Sequence, residues 1–328
     1  MPAKKIKKIK IVSVGESVAK ETAKRTRPRL MIYLYWIAIA LFVGAACYML
    51  SVKKHGAGKD NVEIVDETMP SEEPLEKAAD DSAAYRDMGK RKLLEGDTVG
   101  ALDDFTTAIE KNAGEPLNYV YRGEVLMAGS NFEAAIADFD AAARIDPMET
   151  VAHYDRALAD IKLERLAEAK NDLDRAIDAF DYDESPDIPA HDIYAKRAQV
   201  NLWLRDWSAA DSDYTSAIAK NTGELDWADY TGRAEARTNS GDYERAIADY
   251  TSAVTIISDR IQKTPEEKTR ENMSRQAMGY FEKSGALRVK LGQMDLARQD
   301  LQAAHTLAIA LGDEENRSRL QILMSSIR

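Results

Sequence analysis

The chain is poor in the residues that covalent cross-linking and catalysis need. One cysteine, Cys47, stands among 328 residues, so no disulfide framework and no cysteine-ligated zinc can form. The four histidines, His55, His153, His191 and His305, make neither a metal-ligand pair nor a nucleophile–base spacing. No glycine-rich phosphate loop, HExxH or GxSxG occurs. No catalytic, cofactor-binding or metal-ligating residue is therefore assigned, and an enzyme is not expected. Carboxylates are plentiful, 56 Asp and Glu in all, but they decorate faces that read as solvated.

Long apolar runs are also rare, and the one present is informative. Residues 30–50, LMIYLYWIAIALFVGAACYML, are 21 positions without a charge. About 20 apolar residues span the hydrocarbon core as a helix, so this is the expected transmembrane segment. Tyr33, Tyr35, Trp36 and Tyr48 suit its two interfaces. The basic tail at 1–29 carries ten Lys and Arg against Glu16 and Glu21, a net of +8; the whole chain carries −11, which leaves −19 on 51–328. The positive-inside rule then keeps the tail cytoplasmic and exports the rest. Ile6, Ile9 and Ile11 among the lysines also suit contact with anionic lipid. Nucleic acid is not an expected partner, because a strongly acidic domain repels phosphate backbones.

A cleaved signal fits less well, since its apolar core runs only about 7–15 residues. Gly44-Ala45-Ala46-Cys47 loosely resembles a lipobox, but Gly replaces the usual Leu and apolar residues continue past Cys47. Residues 51–79 are rich in Lys, Glu, Asp, Gly and Pro without periodicity, and read as a flexible acidic linker with a reach of about 30 Å.

From residue 80 onward one pattern recurs. Its second copy reads Tyr119, Gly123, Phe132, Ala135, Phe139, Ala142 and Pro147; 34 residues upstream stand Tyr85, Gly89, Ala101, Phe105 and Ala108. The third copy has His153, Ala157, Leu166, Ala169, Leu173 and Ala176. After an insertion placed at 181–190, the fourth has Tyr194, Ala198, Trp207, Ala210, Tyr214 and Ala217. Tyr230, Ala234, Tyr243, Ala246, Tyr250 and Ala253 make the fifth; Phe281, Gly285, Ala297, Leu301 and Ala304 make the sixth. A fixed period of this length means stacked units rather than an enzyme core. The pattern resembles the tetratricopeptide repeat, a helix–turn–helix unit. The resemblance implies an all-α, right-handed solenoid over 80–328, with repeats near 82–115, 116–149, 150–183, 191–224, 227–260 and 278–311 and a capping helix at 312–328.

Each residue type has a packing reason. Gly or Ala at the eighth position and Ala at the twentieth let two antiparallel helices approach closely. Aromatic residues at the fourth position and Phe, Tyr or Leu at the twenty-fourth fill the space between neighbouring pairs. Asp97, Asn131, Asp206 and Asp242 are placed to cap the second helices, while Glu164-Arg165 leaves the third turn irregular. Thr264-Pro265-Glu266-Glu267 reads as a helix start with a capping box, which makes the second insertion a long first helix of repeat six. Arg122, Arg156, Arg197 and Arg233 each precede an Asp by 16 residues, namely Asp138, Asp172, Asp213 and Asp249. A half-buried Arg requires a partner, so these read as structural ion pairs between first and second helices.

The resemblance further implies a concave face lined by first helices that takes peptides or partner helices. Its positions here include Arg86, Lys90, Leu93, Tyr121, Glu124, Met127, Tyr154, Leu158, Ile161, Lys196, Gln199, Trp203, Glu235, Asn239 and Lys290. Some family members grip a chaperone's terminal carboxylate with a Lys/Asn/Asn/Lys/Arg set. The matching positions hold Arg86, Lys90, Tyr121, Val151 and Asp155, so that ligand is not expected. Trp203 is the expected aromatic anchor, and Trp207 the expected core residue.

The expected function is a membrane-tethered scaffold of a bacterial inner membrane, single-pass, with extracytoplasmic repeats that bind protein partners in an envelope or secretion-related assembly. An organelle outer-membrane receptor with cytosolic repeats opposes the charge bias; a lipoprotein-like regulator of an envelope enzyme and weak self-association stay open.

Overall fold

The computed structural model describes residues 73–181 and 188–327, and among them thirteen α-helices follow one another without a strand. The basic tail, the apolar run at 30–50 and most of the linker lie outside the described residues. No helix among those described is long and apolar enough to cross a membrane.

The helices come in antiparallel pairs: α1 (Glu73–Leu94) with α2 (Thr98–Lys111), α3 (Pro116–Ala128) with α4 (Phe132–Ile145), and α5 (Thr150–Lys162) with α6 (Leu166–Phe180). The series continues with α7 (Ala190–Trp203) and α8 (Trp207–Lys220), α9 (Trp227–Ser240) and α10 (Tyr243–Lys263), then α11 (Glu267–Lys290) and α12 (Met294–Ala310). A single α13 (Glu314–Ser326) packs on α12 and buries Leu320. One boundary needs correction: α1 begins at Glu73, inside the stretch read as linker to 79. Pro74 falls in its first turn, where a missing N–H costs nothing, so the proline is no barrier to helix there.

Close approach explains the small residues. A Cβ on Gly89 would stand 2.8 Å from the Phe105 ring, and one on Gly123 2.7 Å from Phe139. Ala101, Ala135, Ala169, Ala210, Ala246 and Ala297 are completely buried, as are Phe105, Phe139 and Leu173. Burying each large side chain contributes about 1.5–3 kcal/mol, and the glycine or alanine opposite lets it lie flat on a backbone. Gly232 is tighter still: its Cβ would fall 2.3 Å from the Tyr214 ring of the preceding pair.

All six pairs turn in the same way. One residue enters the left-handed region, and the next N–H reaches back five residues, closing a Schellman motif. Thus Asp97 N donates to Lys92 O at 2.8 Å and Asp242 N to Arg237 O at 2.8 Å. The turn at Glu164-Arg165 is no exception, since Arg165 N donates to Asp160 O at 2.9 Å. Gly96, Gly241 and Gly292 take positive φ freely, whereas Ser130, Glu164 and Arg205 adopt φ of 62°, 59° and 60° against a steric cost. Asp97, Asp206 and Asp242 cap the following helices through their side chains, but Asn131 makes no such bond. The expected capping box at 264–267 also fails: Thr264 ends α10, its Oγ1 donating to Arg260 O at 2.8 Å, and Glu266 precedes α11 without a side-chain cap. The insertion therefore lengthens both α10 and α11 instead of one helix.

The repeated arginines and aspartates pair as the spacing requires. Arg122, Arg156, Arg197 and Arg233 each hold their Asp with Nε and Nη2 together. The remaining Nη1 reaches the second helix of the preceding pair, at Thr106, Asp140, Asp174 and Thr215 respectively. Where the arginine is missing, a residue one turn further on substitutes: Lys92 pairs with Asp104 at 2.7 Å and Arg288 with Asp300 at 2.7 Å. One planar guanidinium thus ties a helix pair internally and to its neighbour, which a lysine's point charge does less well.

Candidate partner-binding site

The first helices α3, α5, α7 and α9 lie side by side and leave two adjoining depressions between them. The first, about 330 Å³, is lined by Leu117, Val120, Tyr121, Glu124, Val151, Tyr154, Asp155 and Ile188. The second, about 310 Å³, is lined by Tyr154, His191, Asp192, Ala195, Lys196, Gln199, Tyr214, Asp226, Ala228 and Asp229. Tyr154 is the wall between them. The helices present these side chains because the fifth, sixth and ninth repeat positions face away from the second helices, which are held by the glycine and alanine contacts.

Of the expected concave-face residues, Tyr121, Glu124 and Tyr154 line the first depression, and Tyr154, Lys196 and Gln199 the second. Lys90 sits with Nζ 4.1 Å from the Tyr121 ring, so it borders the first depression as a cation on an aromatic face. Other expected residues stand elsewhere. Arg86 is engaged structurally, with Nη1 donating to Asn118 Oδ1 at 3.2 Å and lying 3.7 Å from Glu115. Met127 and Leu158 are half-buried but line neither depression; Leu93 and Ile161 pack in the core between helices. Lys290 lies 4.8 Å from the Tyr243 ring, away from both sites. Glu235 and Asn239 are exposed on α9, Asn239 Nδ2 donating to the Glu235 carbonyl at 2.8 Å. Trp203 is 49% exposed at the end of α7 and lines neither depression. Trp207, expected in the core, is only half-buried in the first turn of α8.

The electrostatics were not legible from the repeat pattern. His191 offers Nε2 to Asp229 Oδ2 at 2.7 Å and Nδ1 to Asp192 Oδ1 at 3.0 Å. Burial works against its charge, but the two carboxylates outweigh it and raise the imidazole above its ordinary value. At Asp229 burial prevails, lifting the carboxyl while His191 opposes the rise. With an acidic partner on each ring nitrogen, an imidazolium held between carboxylates is the state the geometry favours. Burial, with Lys162 nearby, lowers Lys196. Asp155 is lifted furthest among these carboxyls, to about 7, first by burial and then by Glu124. His191 stands in the first turn of α7, just after the 181–190 insertion, and Asp229 in the first turn of α9, just after the α8–α9 loop, so the repeat offsets do not pair them.

A larger depression elsewhere, by Trp227, Arg260, Glu224 and Gln276, has its polar groups already matched. Trp227 Nε1 donates to Gln276 Oε1 at 2.9 Å, and Arg260 pairs with Glu224 at 2.8 Å while facing the indole.

No protein-family model matches the chain. Among curated proteins it is similar to DnaJ homolog subfamily C member 3 of Rattus norvegicus, 25% identical over 188 residues. That alignment covers 56% of this chain and 37% of the relative, so the chain spans little more than a third of that protein. Among solved structures it is similar to YrrB, described as a tetratricopeptide-repeat protein with an unusual peptide-binding site, at a TM-score of 0.52 and 18% identity; 66% of this chain and 97% of that one align. The C-terminal part of a tetratricopeptide repeat-containing protein from Cytophaga hutchinsonii aligns at a TM-score of 0.55 and 14% identity, covering 76% and 90% of the two chains. Pseudomonas aeruginosa pilF aligns at 0.51 and 14%, covering 75% and 99%. The helix pairs described here have the tetratricopeptide-repeat fold.

Proposed function

We propose that the chain is a non-catalytic, membrane-tethered adaptor whose two adjoining depressions hold an extended or helical segment of a protein partner. The observation that carries the binding role is the pair of depressions itself, which share Tyr154 and add aromatic walls at Tyr121 and Tyr214 among unevenly distributed charge. Aromatic anchors flanked by polar groups are what peptide-binding grooves offer. YrrB's described peptide-binding site supports the same use of this fold. The tether is supported by the 21-residue uncharged run at 30–50, and the exported orientation by the +8 tail before it. A bacterial envelope or secretion-related assembly is the setting this arrangement fits.

The test is co-purification of the full chain with its partners from solubilised membranes. Tyr154→Ala with Gln199→Arg, on the concave face, should lose the partner that Ala248→Arg, on an exposed face of α10, retains. Equal retention by both variants contradicts the reading.

A further inference from the structure

Eight aspartates are buried among the described residues, and seven of them have a basic partner. Asp104 has Lys92, while Asp138, Asp172, Asp213 and Asp249 have their arginines. Asp229 has His191, and Asp160 lies 3.7 Å from Arg165. Asp155 is the exception. It is 8% exposed, lines the depression between α3 and α5, and meets no hydrogen-bond donor or cation among the described residues. Leaving a buried carboxylate unpaired is costly, and the cost is relieved by protonation or by a cation brought from outside. Nothing in the repeat demands an acid here: the equivalent sixth position is Tyr121 in the preceding repeat and Lys196 in the next.

We propose that this depression receives a lysine or arginine side chain of the partner's bound segment, seated against Asp155 and Glu124 with Tyr121 and Tyr154 beside it. The inference rests on the concave face being the partner site and adds what that site selects. Two carboxylates flanked by phenol rings suit an organic cation, which gains from ring faces as well as from charge. A metal ion would require more oxygen ligands, and no cluster of three or more candidate ligands occurs among the described residues. The burial that strands Asp155 alone also strengthens its attraction for an incoming charge, because water screens it poorly. The lifted carboxyl agrees with a desolvated seat that Glu124 makes more negative.

Selection of random peptides displayed on phage, against the full chain in detergent micelles, tests this. Enriched peptides should share one Lys or Arg, and replacing it by norleucine should weaken binding about tenfold or more in fluorescence anisotropy. In Asp155→Asn the same replacement should cost less than about threefold, since the seat no longer discriminates charge. Asn matches Asp in shape, and the variant should melt no lower than the parent, which separates lost recognition from lost folding. Enriched peptides without a basic residue, or an undiminished norleucine penalty in Asp155→Asn, overturn the inference while leaving the concave-face reading intact. Peptides that bind Tyr154→Ala with Gln199→Arg as well as they bind the parent contradict that reading instead. A selection that enriches nothing contradicts both.

Discussion

Arg197 grips Asp213 with two nitrogens, Nε to Oδ2 at 2.9 Å and Nη2 to Oδ1 at 2.6 Å, while its Nη1 holds Asp174 of the preceding pair at 2.6 Å. The same three-pronged contact recurs along the solenoid, so stacking is specified by charge geometry as well as by apolar filling. A buried pair is weak support for net stability, but breaking one side is expensive because the other charge is stranded.

Arg197→Ala should therefore lower the stability of the repeat region by about 2–4 kcal/mol. Arg197→Met should cost less, since it retains part of the stem packing. Combining Arg197→Met with Asp213→Asn should recover part of the loss, a coupling of about 1 kcal/mol or more read from denaturant melts. Additive losses in that cycle would show that the two residues are not energetically paired.

The turns offer a stabilising prediction. Glu164 and Arg205 hold left-handed backbone that glycine adopts without steric penalty. Glu164→Gly and Arg205→Gly should each leave stability unchanged or raise it by up to about 1 kcal/mol, although glycine also loosens the unfolded chain. Gly241→Ala, at φ 86°, should lower it by about 1 kcal/mol. A melt in which Gly241→Ala gains stability would mean the turn is not held as described.

Gly232→Ala forces a methyl into the Tyr214 ring. Thermal unfolding should begin lower, with a loss of about 1–3 kcal/mol, and Tyr214→Leu in the same chain should rescue part of it. Failure of the smaller side chain to rescue would place the clash elsewhere.

Asp155 predicts a pH dependence without any ligand. Its folded-state value of about 7 exceeds the ordinary 3.8, so the folded chain binds the proton more tightly than the unfolded one does. Its contribution is fully present below about pH 4 and is lost as pH rises through about 7. Glu124 from α3 faces it and adds to the repulsion, while the Tyr154 phenol, raised by burial to about 12, stays neutral throughout. Asp155→Asn should exceed the parent in stability at pH 8, by no more than roughly 4 kcal/mol, and the gap should shrink towards pH 4. A gap independent of pH would assign the gain to something other than titration of Asp155.

The helix pairs were legible because helix packing depends on offsets that sequence displays directly. Gly89 against Phe105, and Arg122 with Asp138, are set by spacing alone. What spacing cannot show is where an insertion redistributes itself, and Thr264 ends α10 instead of opening α11 for that reason. Nor does it show side chains meeting across loops of unequal length, as His191 meets Asp229. Asp155 was visible only as a departure from a carboxylate-gripping set, because its isolation depends on what does not surround it. Trp203 and Trp207 illustrate the limit of residue type. Both are half-exposed or half-buried at the α7–α8 turn, so Trp203 is no better placed than its neighbour as an anchor.

The central claim is that partners bind across the first helices. Its most direct test places a photo-crosslinking amino acid at Gln199, at Tyr154, or at the exposed Ala248 of α10, in the full chain in the cells that make it. The account predicts one common adduct from Gln199 and Tyr154, weakened by Asp155→Asn, and none from Ala248. A partner captured from Ala248 but not from the other two positions would contradict it.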